Sequence, residues 1–89
     1  MTYVYGHHKV IDYETWKPYF ENDDARRREA GVELVNLFQS AQDPNEVHFL
    51  FKVDNPGAMQ EMMESEDFEK TMKEAGVISE PQIHVLNSV

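Results

Sequence analysis

His8 is the side chain of this sequence best placed to move a proton, because an imidazole changes charge near neutral pH. Alternation through Val4, Gly6 and Val10 puts it on the apolar side of an extended run, where a hydrogen-bonded core histidine and a general base are both possible. Trp16 and Phe20 stand one helical turn apart and would close over it. Further steps along that stripe reach Asp23 and Arg27, polar groups where a core-facing helix ordinarily carries leucine. They either point into a site or form an exposed i,i+4 ion pair worth about 0.3–0.5 kcal/mol. Met59, Met62, Met63 and Met72 offer an adaptable apolar wall, which suits an irregular ligand as well as ordinary core packing. Phe49 and Phe68 would complete it.

The remaining histidines raise the question of a metal. His7, His48 and His84 fall on three strands that a repeated strand-helix-strand sheet makes neighbours, all on the face away from Phe49 and Phe51. Zinc takes three or four such ligands at about 2.0–2.1 Å, often with a carboxylate. His7 is expected to approach His84, but His48 to lie displaced along the sheet, no acidic residue to share that face in these strands, and a dimer interface to cover it, so no metal site is assigned. Interface histidines that make self-association pH-sensitive are the alternative. No glycine-rich phosphate loop and no Gly-x-Ser-x-Gly elbow occurs.

The elements that must hold these groups are written twice. Arg28-Glu29-Ala30-Gly31-Val32 returns 45 positions later as Lys73-Glu74-Ala75-Gly76-Val77, each time after a helical pattern that follows an extended run. A strand is predicted over Tyr3 to Val10, then a helix capped by Asp12 and stopped by Gly31, with Pro18 inside it bending its first turns or shifting its start. A strand over Val32 to Ser40 carries apolar residues at both parities, Val35 and Leu37 on one face and Leu34 and Phe38 on the other. Asp43-Pro44-Asn45 has the chemistry of a hairpin turn. The next strand alternates Val47, Phe49, Phe51 and Val53 with His48, Leu50 and Lys52. Asp54 or Asn55 caps the second helix, with Pro56 in its first turn and a break at Ser65, where the apolar stripe changes phase; Gln82 to Asn87 forms the last strand.

Right-handed crossovers would place both helices on one side of the sheet and leave the other bare. Covering that face with a second copy is the economical solution, so a homodimer is expected. With 17 acidic against 8 basic residues and a net charge of −9, the chain repels phosphate backbones and anionic headgroups, so neither nucleic acid nor membrane is an expected partner. The run Arg26-Arg27-Arg28 reads as cations at a helix C-terminus. There is no cysteine, no basic apolar leader, and no apolar run longer than Phe49-Leu50-Phe51, which predicts a cytoplasmic protein.

Taken together, His8-x-Val10-x-Asp12, Trp16, Phe20, Arg27, Ala30-Gly31, Asp43-Pro44-Asn45 and Ala75-Gly76-Val77 followed by Pro81 form a pattern spanning nearly the whole chain. It resembles the dimeric α+β barrel proteins related to the antibiotic-biosynthesis monooxygenases and small cyclase-like proteins. The resemblance implies an α+β, ferredoxin-like βαββαβ fold, with residues 1–89 making one dimeric barrel domain around an antiparallel four-stranded sheet. It also implies cofactor-independent oxygenation or cyclisation of a small aromatic or polyketide-like molecule. His8 would then remove a phenolic or α-carbonyl proton, and Arg27, oriented by Asp23, would stabilise the anion. Trp16, Phe20 and Phe68 would hold the ring, with Phe49, Met59, Met63 and Met72 around it, and no cofactor is called for. Proteins with this pattern are expected to carry a histidine seven residues after the Trp, where this chain has Asp23. A non-catalytic dimerisation or ligand-sensing module with a filled core is the competing reading.

Overall fold

The computed structural model describes residues 1–89. The order is β1 (Thr2–Lys9), α1 (Tyr13–Asn22), α2 (Asp24–Glu29), β2 (Val32–Gln39), β3 (Glu46–Val53), α3 (Pro56–Glu64), α4 (Glu66–Glu74) and β4 (Gln82–Asn87). The four strands pair antiparallel in the order β2-β3-β1-β4, which is the α+β, ferredoxin-like βαββαβ arrangement expected from the repeat.

Local chemistry explains the helix starts. The Asp12 carboxylate accepts from the Thr15 N–H at 3.0 Å and its hydroxyl at 2.8 Å, so α1 begins at Tyr13 even though Pro18 lies inside it. Of the two caps the sequence left open for the second helix, Asn55 is used, its side-chain oxygen accepting from Gly57 and Ala58. Ser65 ends α3 and starts α4, its hydroxyl accepting from the Phe68 N–H at 3.2 Å.

The first helix differs from the continuous one predicted, since it is interrupted at Asp23. The interruption is slight: the Asp23 N–H still donates to the Tyr19 carbonyl, and the Arg27 N–H to that of Asp23. The axis therefore adjusts without the chain leaving helical space.

Gly31 and Gly76 both adopt positive φ, +75° and +84°, and turn the chain out of α2 and α4. The Gly31 carbonyl accepts from Asp54 N–H and the Gly76 carbonyl from Ile11 N–H, each at 2.9 Å. Each half of the repeat thus ties its helix end to a strand end of the other half.

One sheet face packs on the helices. Val4, His8 and Val10 meet Val47, Phe49, Phe51 and Val53 there, all buried. Gly6 admits the Phe49 ring, since a Cβ would stand 2.7 Å from Ile83 Cδ1 and closer still to that ring. Strand β2 corrects the expected parity. A bulge between Leu34 and Asn36 makes Val35 an extra residue, so Leu34 pairs with Phe51 and Leu37 with Phe49, both on the helix side, while Phe38 pairs with His48 on the bare side. Strict alternation separated Leu34 from Leu37; the inserted residue reunites them. No helix is long and apolar enough to cross a membrane.

Candidate functional site

Between the sheet and the helices lies a cavity of about 70 Å³, lined mostly by apolar side chains. His8 enters from β1, Phe49 from β3, and Trp16, Phe20 and Asp23 from α1 and its end. Arg27 comes from α2, Met59 and Met63 from α3, and Phe68 and Met72 from α4. The residues singled out on the two halves of the repeat are thus brought to one cavity. Tyr19, Thr71 and Ile83 also line it and were not singled out. Ile83 alternates with His84, so strand parity puts it on the Phe49 side; Tyr19 and Thr71 carry no such signal.

His8 is only 7% exposed, edge-on to Trp16 with ring centroids 5.7 Å apart and tilted against Phe49 at 5.5 Å. Its Nδ1 is buried without a hydrogen-bond partner. Burial lowers its pKa from 6.5 to about 4, repulsion from His7 adds to this, and its own backbone partly offsets it. The ring is therefore neutral at physiological pH.

Arg27 is 5% exposed, which rules out the exposed ion pair with Asp23 weighed above. Its Nη2 donates to the Phe20 carbonyl at 2.8 Å, and its guanidinium carbon stands 4.0 Å from the centre of the Phe20 ring. Asp23 makes its ion pair with Arg26 at 3.5 Å and Asp24 stands 3.9 Å from Arg27, while both carboxylates act on the Arg27 charge, Asp23 the more strongly. Burial lowers the Arg27 pKa, opposed by Asp23 and Asp24. Its Nε is buried and unpartnered.

The histidines on the bare face also sit differently from expectation. His7 and His48 are direct partners across β1 and β3, so His48 is not displaced. His84 lies opposite Tyr5, while the β4 partner of His7 is Gln82. An acidic residue does share the face: β3 begins one residue earlier than predicted, and Glu46 stands beside His48. Registers of this kind follow from hairpin geometry and the crossover, neither of which strand alternation encodes.

No protein-family model and no curated protein matches the chain. Solved structures do. An antibiotic biosynthesis monooxygenase superposes with a TM-score of 0.73 at 15% identity, covering 100% of this chain and 99% of the other. A candidate antibiotic biosynthesis monooxygenase from Bordetella bronchiseptica gives 0.79 at 17% identity over 99% and 96%. Another, from Nitrosomonas europaea, gives 0.72 at 14% identity over 100% and 99%. At these identities the likeness is one of fold.

Proposed function

We propose that the chain acts as a homodimer whose subunits each take a small aromatic or polyketide-like molecule into the cavity between sheet and helices, where His8 accepts a proton and Arg27 holds the resulting anion. The reading is supported above all by two buried polar atoms, His8 Nδ1 and Arg27 Nε, that have no partner beside a mostly apolar cavity. An unsatisfied buried polar group costs about 1–3 kcal/mol, and an oxyanion from a bound ligand would recover that loss at Arg27. A neutral His8 is free to accept a phenolic or α-carbonyl proton, and the electron-rich anion then reacts onward, with dioxygen or by ring closure. The names borne by the structural neighbours favour oxygenation. This chemistry calls for no cofactor.

The size of the cavity favours a second reading, a non-catalytic dimerisation or ligand-sensing module with a filled core. About 70 Å³ is well short of the roughly 300 Å³ at which ligand pockets begin. Admitting a ring would require the methionines and Phe68 to move. Helix α4 is the wall able to do so, because none of its residues is fully buried and Ser65 separates it from α3.

Trp16, the only tryptophan, reports directly on the cavity it lines. Titration with 1-naphthol and 1-naphthoate is expected to quench its emission saturably, and Arg27→Met is expected to weaken naphthoate binding at least about tenfold while the variant still melts cooperatively. If neither compound quenches Trp16 up to about 1 mM, the filled-core reading replaces the first.

A further inference from the structure

On the bare face, at the end of the β1–β3 pair, three side chains of metal-ligating type converge. The rings of His7 and His48 stack with centroids 5.0 Å apart, and Glu46 Oε1 stands 3.2 Å from His48 Nε2. One ligand atom from each of the three residues lies within 4.8 Å of the others. The other nitrogen of His48, Nδ1, is 2.6 Å from the Tyr5 hydroxyl. We propose that His7, Glu46 and His48 form a binding site for a divalent transition-metal ion of the zinc class, with Tyr5 orienting His48 from behind.

Tetrahedral ligands at about 2.0–2.1 Å from zinc stand about 3.3–3.4 Å from one another. The Glu46–His48 edge is close to that length at 3.2 Å, while the edges to His7 are within 4.8 Å and would have to close on binding. All three residues are half-buried, so the ion would be partly shielded while the side chains keep room to adjust. On binding, Nε2 would face the metal and the ring proton would sit on Nδ1, from which Nδ1–H would donate to the Tyr5 hydroxyl. That hydrogen bond is the kind that fixes the tautomer of a ligating histidine. Lys9 stands opposite Glu46 in register but makes no ion pair with it, and the arginines pair with Asp23 and Asp24, so the one side chain that Glu46 pairs with is His48 itself. Three protein ligands leave a fourth position for water, and the net charge of −9 favours a cation.

The test uses tag-free protein stripped with a chelator and dialysed. Zinc chloride is titrated by calorimetry, and cobalt(II) chloride by visible absorption, where a low-coordinate site gives intense bands. The expected result is one ion per chain bound more tightly than about 50 µM, weakened at least about tenfold by Glu46→Gln and by His7→Ala, with both variants checked for folding by circular dichroism. If either fails to fold, His48→Asn takes its place. His84→Ala, on the same face but opposite Tyr5, is expected to bind within about twofold of the parent. Binding weaker than about 50 µM, or equal loss in His84→Ala, would overturn the site. The cavity lies on the other face of the sheet, so ligand binding there and the metal site can fail separately; the expected dimer uses the same face as the metal site, which would then lie at the seam between the two copies.

Discussion

Burial between Trp16 and Phe49 keeps His8 uncharged, and this has a consequence for stability as well as for proton transfer. The unfolded chain takes up this proton as the pH falls below 6.5, whereas the folded one resists until about 4. Stability contributed by the neutral ring is therefore complete above pH 6.5 and is lost as the pH falls toward 4, by on the order of 3 kcal/mol. Urea unfolding at pH 6.5 and 5.0, a range above most carboxylate titrations, is expected to show a fall that His8→Phe largely removes. A variant with the parental slope would mean that other histidines carry the effect. For chemistry, the same shift makes His8 an acceptor at every physiological pH but a weak base until an anion forms beside it. Its placement on the buried face followed from alternation alone. The unpaired state of its Nδ1 did not, because that depends on which side chains from α1 and β3 surround it.

Among the elements, the break at Ser65 controls the cavity wall. The Ser65 hydroxyl accepts from the Phe68 N–H and donates to the Met62 carbonyl at 2.7 Å, so one side chain joins the end of α3 to the start of α4. Ser65→Ala is expected to destabilise the fold by about 1 kcal/mol in thermal or urea melts. Faster amide exchange is expected over the first turn of α4, the turn that carries Phe68; exchange unchanged there would show that packing, not the cap, holds the helix. This break was legible because the apolar stripe changes phase across Glu64-Ser65-Glu66-Asp67. The interruption at Asp23 was not, since no change of phase marks it. The bulge at Val35 was equally hidden, because an extra strand residue shows only against the partner strand that skips it.

At the level of the molecule, the helices cover one side of the sheet. The other presents Tyr3, Tyr5, Leu50, Phe38 at 50% exposure and Leu86 at 46%. A sheet face carrying these apolar and aromatic side chains, interspersed with His7, His48, Lys52 and His84, in a chain of 89 residues is expected to bury itself against a second copy. Analytical ultracentrifugation at micromolar concentration is expected to find a dimer, and Phe38→Glu to shift it to monomer while the far-ultraviolet spectrum is retained. A well-folded parental monomer in dilute solution would remove the dimeric half of the proposed architecture.

Composition, alternation, caps and the two left-handed glycines are local properties, each decided by a few neighbouring residues and readable from the chain. They were enough to specify the four strands, the helix stops at Gly31 and Gly76, and the buried sides of β1 and β3. The folded structure alone decided the pairing of His7 with His48 beside Glu46, the ion pair of Asp23 with Arg26, and the tightness of the cavity. These depend on register and on how helices settle against a sheet, and both are set by contacts between residues far apart in sequence.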